Sequence, residues 1–341
     1  MIGLTPPLTD PTELYRYRDR VYADDLLIAA VADLDLFTWL AEYPSDLDGI
    51  CDTLGLARRP AIVMLRLLGA RGLVGLTQGV YRLTNLAREH LVSGSPFGLG
   101  PYYGSLRQRP TCQQLLDVLR TDQPASWSGQ DQGRVWEEEL DDAAGAAQLT
   151  AAMDCRGAYL GPMLAERLDL TGSRRLLDVA GGSGIYACLI AVRHPHLEAV
   201  VLERPPVDAI ARRRVEETGL SERVTVATGD MFQAPLPAGC DVHLYSNVLH
   251  DWGEEKVRSL LQKSHDALEP GGLLAVHDTH LDADGFGPLA VAEYSALLMH
   301  GTEGRCYGVD ELSRFLADAG FTYIGVAPTG ADRSVVTARR R

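Results

Sequence analysis

Between residues 175 and 278 short apolar runs alternate with helical stretches: RLLDVAG, EAVVLER, RVTVATGD, CDVHLYSN and GLLAVHD. That alternation predicts a parallel, doubly wound sheet covered by helices. In such a sheet a ligand sits beyond the carboxyl ends of the strands. Each run here ends on a polar residue or a glycine. The first, LLDVAGGSGIYA at 176–187, passes directly into a glycine-rich turn. From Gly182 it reads Gly-Ser-Gly-Ile-Tyr-Ala, a passable GxGxxA dinucleotide fingerprint. From Asp178 it reads Asp-Val-Ala-Gly-Gly-Ser-Gly, with an acid just before the glycines.

The acid separates the two readings. A pyrophosphate needs backbone amides and a helix amino terminus with no competing anion nearby. Asp178 would repel a diphosphate and attract the cationic amino acid end of S-adenosylmethionine. Glu203, closing the second run, can accept both ribose hydroxyls. Asp230, in TGDMF at the end of the third, can take an amine proton from adenine, with Met231 and Phe232 packed on the ring. Each acid alone reads as a solvated strand end or a helix cap. Three at successive strand ends read as a site for S-adenosylmethionine.

The amino-terminal part has a different grammar. Apolar residues recur at helical spacing from 23 to 40. SDLDGICDTLG, 45–55, starts on a capping-type Ser45 and closes on Gly55. RRPAIVMLRLLGARG, 58–72, is a second helix with Pro60 in its first turn. LVGLTQGVYRLT, 73–84, is a hairpin around Gln78-Gly79. Helix–turn–helix plus hairpin is a winged helix. Its second helix is apolar nearly all round and so reads as buried. The hairpin tip has no positive charge, and the formal net charge is −14. Both argue against nucleic acid as a partner. The expected division is a winged-helix domain over 1–95, a helical linker and acceptor-pocket segment over 96–165, and a Rossmann-like domain over 166–341. The middle segment is aromatic, with Phe97, Tyr102, Tyr103, Trp127 and Trp136.

Composition adds exclusions. No window reaches the roughly 18 apolar residues of a membrane span, and MIGLTPPLTDPTEL has no features of a secretory leader. Six scattered cysteines without a CxxC pair predict reduced thiols and a cytoplasmic setting. Lys256 and Lys263 are the only lysines, which reads as base composition, not function.

Taken in order, LLDVAGGSG, LERPPV, TGDMF, NVLHDW, EPGGLLAVHD and GRCYGVDEL…AGF resemble the small-molecule O-methyltransferases of the caffeic-acid and hydroxyindole type, including bacterial relatives that modify antibiotics and pigments. The resemblance implies an α/β protein: a carboxyl-terminal Rossmann-like methyltransferase domain with an amino-terminal helical winged-helix domain used for dimerisation. It implies a homodimer acting on a hydroxyl of a small aromatic compound, with no nucleic acid, membrane or metal. Methyl transfer is an in-line displacement that needs an aligned, electron-rich acceptor atom. A phenol ionises only near pH 10, whereas a neutral histidine can remove its proton during the transfer. His250, in VLHDW, stands at the family's base position, and Asp278, in AVHD, at that of its orienter. Asp178, Gly181, Gly182, Gly184, Glu203, Arg204, Asp230, Met231, Phe232, Ser246, Asn247 and Trp252 are the implied cofactor residues. Asp251 reads as a cap of the following helix. Met153, Tyr102, Tyr103, Met299 and His300 are candidates for the acceptor pocket.

Two departures stand out. Plant members carry a second acid where this chain has Cys306, and a lysine where it has Ser246. A rival reading places a ferric ion between His250 and His300, for C-methylation of an aromatic α-keto acid; the spacing alone is not a ligand motif. His277 and His280 read as surface residues. An NAD-linked dehydrogenase leaves Asp178, Asp230 and LHDW unexplained. A non-catalytic winged-helix regulator would need a basic surface that the sequence lacks.

Overall fold

The computed structural model describes residues 7–125, 136–283 and 285–341; Trp127 lies outside them. The strands are β1 (Val74–Thr77), β2 (Val80–Leu83), β3 (Arg175–Val179), β4 (Glu198–Glu203), β5 (Val224–Thr228), β6 (Val242–Ser246), β7 (Leu273–Asp278), β8 (Phe321–Gly330) and β9 (Arg333–Arg340). They form a hairpin, β1-β2, and a seven-stranded sheet of order β5-β4-β3-β6-β7-β9-β8. The five runs foreseen as parallel strands are β3 to β7, and they pair in parallel. Strand order reverses between β3 and β6, the switch point where such sheets open a crevice.

The sheet is not wholly parallel. β9 runs antiparallel to β7, and β8 to β9, forming an edge hairpin that the reading of the sequence lacked. Its turn is Ala331-Asp332, with φ of 46° and 60°. That left-handed pair has neither the glycine nor the Asn-Gly sequence that normally signals it. By contrast, Gln78-Gly79 turns β1 into β2 where expected, with φ of 51° and 79°.

Compactness divides the chain into two units that cross the three-segment division drawn from the sequence. One comprises the described residues of Met1–Thr12 with Trp136–His280 and Tyr307–Arg341; the other those of Glu13–Val135 with Leu281–Cys306. The first unit holds the large sheet. Its core includes Leu177, Val179, Tyr245, Leu274, Val276, Phe315 and Phe321. The central strands β3, β4, β6 and β7 are buried on both faces, because helices cover both.

The second unit is helical with the β1-β2 wing. The expected helix over 23–40 is two, Ala23–Ala32 and Leu36–Glu42, broken where Asp35 takes φ 46°. The cap of helix Leu47–Leu54 is Asp46, whose carboxylate accepts from Gly49 N, and not Ser45. Ser45 instead bridges to Tyr81 of β2. Helix Arg58–Ala70 buries Pro60, Ala61, Val63, Met64, Leu65, Leu67 and Leu68. Among its other residues, Arg58 is exposed, and Arg59, Ile62 and Arg66 are partly buried. Helix Leu289–Gly301 follows the large sheet in sequence but buries Val291, Ala292, Ala296 and Met299 in this second core. No helix among the described residues is long and apolar enough to cross a membrane.

Candidate active site

The carboxyl ends of β3 to β7 carry the residues singled out from the sequence. After β3, the chain turns through Ala180 at φ 53°, Gly182 at 61° and Gly184 at 77° into helix Ile185–Arg193. A Cβ on Gly181 would come within 2.6 Å of the Asp178 carboxylate, so only glycine fits there. Asp178 is completely buried beneath this turn. Neither of its oxygens has a partner in good hydrogen-bond geometry among the described residues. Burial, reinforced by the charge of Glu203, outweighs the nearby Ala187 amide and pushes its carboxyl up to about 7.

Glu203 ends β4. Its Oε1 accepts from Gly182 N at 2.9 Å and its Oε2 from Arg204 N at 3.0 Å. Burial dominates these bonds and raises it to about 7. A carboxylate offers about four lone-pair positions, so both oxygens can still accept hydroxyl donors. Arg204 itself turns to the Glu137 carbonyl at 2.7 Å and to Asp141. Past β5, the Asp230 Oδ1 accepts from Phe232 N at 2.7 Å and closes a tight turn. Phe232 meets Trp252 edge to face at 4.7 Å, and Trp136 lies 5.4 Å from Trp252. Met231, Phe232 and Trp252 are thus brought together, and Trp136 joins them.

Beyond β6, Ser246 Oγ bonds His277 Nδ1 at 2.8 Å, and Asn247, at φ 55°, donates to Tyr186 Oη at 3.2 Å. His277 Nε2 meets Thr329 Oγ1 at 3.0 Å, and His280 Nδ1 meets Ser334 Oγ at 2.8 Å. Both histidines are buried, which corrects their reading as surface residues. Burial lowers His277 to about 3 and His280 to about 4.

His250 occupies the short turn Leu249–Asp251. Its Nδ1 is hydrogen-bonded to Asp278 Oδ1 at the end of β7, and both side chains are buried. Burial alone would lower His250, but Asp278 and Asp251 outweigh it and hold the imidazole above its ordinary value. Burial would raise Asp278; the His250 charge and hydrogen bond bring it down to about 2 instead. Asp251 does not cap the next helix: that position is Gly253. Its Oδ1 lies 3.5 Å from His250 Nε2, and burial raises it to about 6. The imidazole thus stands between two carboxylates.

Sequence reasoning also missed Asp154. It accepts from Ser183 Oγ in the glycine turn and from Arg214, tying the turn to helix Ala143–Arg167. Of the acceptor candidates, Met153 lies on that helix, its Sδ 3.0 Å from Arg156 Nη2. The other four belong to the second unit. There Tyr102 is 74% exposed, whereas Met299 is fully buried in the core. Tyr103 is partly buried against that core. His300 stacks on Tyr22 at 4.1 Å, and its Nε2 meets Gln114 Oε1 at 3.1 Å. Cys306 is buried in the same unit. Among the described residues no group of three or more metal-ligating side chains could hold an ion.

A Rossmann-like sheet with acids at successive strand ends, and a histidine–carboxylate pair beside them, defines a nucleoside-cofactor transferase. The residues fit S-adenosylmethionine: the orphaned charge of Asp178 calls for a cation, and Glu203 offers acceptors for a ribose. Residues 113–322 match the family model of the O-methyltransferase domain. The chain is 33% identical to the 3-hydroxy-5-methyl-1-naphthoate 3-O-methyltransferase of Streptomyces sahachiroi, over 93% of this chain and 91% of that one. It is 42% identical to the aclacinomycin 10-hydroxylase of Streptomyces purpurascens, over 51% of this chain and 46% of that one. An O-methyltransferase family 2 protein from Planctomyces limnophilus, solved in complex with apigenin, superposes with a TM-score of 0.90 at 34% identity, covering 99% and 98% of the two chains. The chain belongs to this O-methyltransferase family and is an S-adenosylmethionine-dependent methyltransferase.

Proposed function

We propose that the chain methylates a hydroxyl of a small aromatic compound, with His250 as general base and Asp278 as its orienter. The observation that carries this is the buried bond between His250 Nδ1 and Asp278. With Nδ1–H donating to the carboxylate, the lone pair of the neutral ring lies on Nε2. S-adenosylmethionine supplies an electrophilic methyl whose carbon–sulfur electron pair leaves with sulfur. His250 Nε2 takes the acceptor's hydroxyl proton as that oxygen bonds the methyl. Asp278 remains ionised and balances the imidazolium. On this reading Gly181, Gly182 and Gly184 shape the turn around the amino acid end, and Glu203 takes the ribose. Asp230, Met231, Phe232 and Trp252 receive the adenine.

The aromatic acceptor is supported by the naphthoate named for one relative and the apigenin in the structural neighbour. A cytoplasmic homodimer is supported by free cysteines and by exposed apolar residues of the second unit, such as Leu14, Phe97 and Tyr102. His250→Ala should lower turnover by roughly 10²–10⁴-fold and leave cofactor affinity nearly unchanged. A collapse of cofactor affinity would overturn this placement of His250. Product mass distinguishes methyl gain from the oxygen gain of a hydroxylation.

A further inference from the structure

Thirty arginines and two lysines make up the basic side chains of this protein. Both lysines lie on helix Glu254–Ala267, and both serve the turn that carries Met231 and Phe232. Lys256 Nζ sits 4.4 Å from the centre of the Trp252 ring and 5.6 Å from that of Phe232. Lys263 Nζ donates to three backbone carbonyls at once: Met231 at 2.9 Å, Phe232 at 2.5 Å and Ala234 at 3.0 Å.

Asp230 anchors the start of that turn, its carboxylate accepting from Phe232 N and its carbonyl from Gln233 N and Ala234 N, while the carbonyls of Met231, Phe232 and Ala234 converge on Lys263. Three oxygens converging on one point match an ammonium, whose three donors radiate tetrahedrally from a single nitrogen. A guanidinium can also gather three carbonyls, as Arg59 Nη1 does with Met299, Thr302 and Gly304 at 3.4, 3.1 and 2.8 Å, but its planar nitrogen carries only two hydrogens against the three of an ammonium.

We propose that Lys263 is a positioning residue for the cofactor: its ammonium fixes the turn that presents Met231 and Phe232, and so sets affinity for the adenosine part of S-adenosylmethionine. This rests on the assignment of that turn to adenine. It gives the lysine a role in cofactor affinity that it exercises through backbone carbonyls, without touching the cofactor.

The test is calorimetric titration of wild type, Lys263→Arg and Lys263→Met with two probes, S-adenosylhomocysteine and methylthioadenosine. The second lacks the amino acid end. Losing charge-assisted bonds to this turn should weaken both probes by a similar factor, roughly ten- to a hundredfold, in Lys263→Met, and by less in Lys263→Arg, which keeps the charge. KM for the cofactor should rise in step, with kcat at saturating cofactor and KM for the acceptor unchanged. Wild-type affinity in Lys263→Met would overturn the proposal, as would a loss confined to S-adenosylhomocysteine. Two variants guard against one that misfolds, since thermal unfolding of the free protein identifies it. Failure of the wild type itself to bind either probe would refute the adenine assignment instead.

Discussion

Asp178→Asn should stabilise the free protein at pH 8 while weakening its grip on the cofactor. The wild-type carboxyl is fully buried, has no partner in good hydrogen-bond geometry among the described residues, and is raised from 3.8 to about 7 by burial. An acid with a raised folded pKa binds more protons folded than unfolded between those two values, so stability falls as pH rises through them. At about 1.36 kcal/mol per unit, ionising Asp178 costs the fold about 4 kcal/mol above pH 7. Asparagine removes that cost but buries an unsatisfied amide, which returns about 1–3 kcal/mol. The net gain at pH 8 is then about 1–3 kcal/mol. Below about pH 4 the wild-type acid is neutral in both states, and the variant is the less stable of the two. Urea unfolding of both proteins from pH 4.5 to 8, without ligand, reads this directly. The stability difference should change sign between about pH 4.5 and 6 and flatten above pH 7. A difference independent of pH would refute the reasoning. The same variant should bind S-adenosylmethionine more weakly. It should also lose the proton release that wild-type binding shows near pH 6.5 between buffers of different ionisation enthalpy.

Asp251→Asn removes the carboxylate 3.5 Å from His250 Nε2. An adjacent anion favours the imidazolium by about one unit or more, so the acid limb of the pH–rate profile should move to lower pH; an unmoved limb would show that Asp251 does not face the working nitrogen. Phe97→Glu with Tyr102→Glu places charge on two exposed aromatics of the second unit, and sedimentation velocity should show the proposed dimer shifting to monomer, whereas an unchanged sedimentation coefficient would refute an interface there.

The parts of the fold that were legible are those whose instructions are local. β3 to β7 are apolar runs bounded by helical periodicity, and each appears where it was expected. The β1-β2 turn announces itself through Gly79, which tolerates φ 79°. The β8-β9 hairpin does not, because Ala331 and Asp332 adopt left-handed angles that tertiary pairing enforces and their side chains do not favour. Ser45 and Asp46 are equally good caps by type. The bridge from Ser45 to Tyr81, a contact across 36 positions of sequence, occupies the first and leaves the second. Helix Leu289–Gly301 looked like an extension of the sheet domain because sequence order says nothing about which core an apolar helix enters.

The site divides along the same line. A strand end with an acid can be read from the sequence, but not which atoms the fold has already engaged. Asp178, Glu203 and Asp230 read alike as strand-end acids, yet one is sealed beneath Gly181, one holds two backbone amides, and one closes a turn. Their roles differ because backbone donors, unlike side chains, leave no mark in composition. Asp251 and Lys263 show the converse. Each has a sufficient bland reading, a helix cap in one case and a solvated helix face in the other. Only the approach of His250 Nε2 and of three carbonyls gives them chemistry. The buried acids raised toward neutrality and the base held between two carboxylates have a common consequence. In the free protein, ionising Asp178 and Glu203 works against their burial. On the proposed placement a cationic cofactor would relieve that cost, so mutations that remove it should stabilise the protein as they disable it.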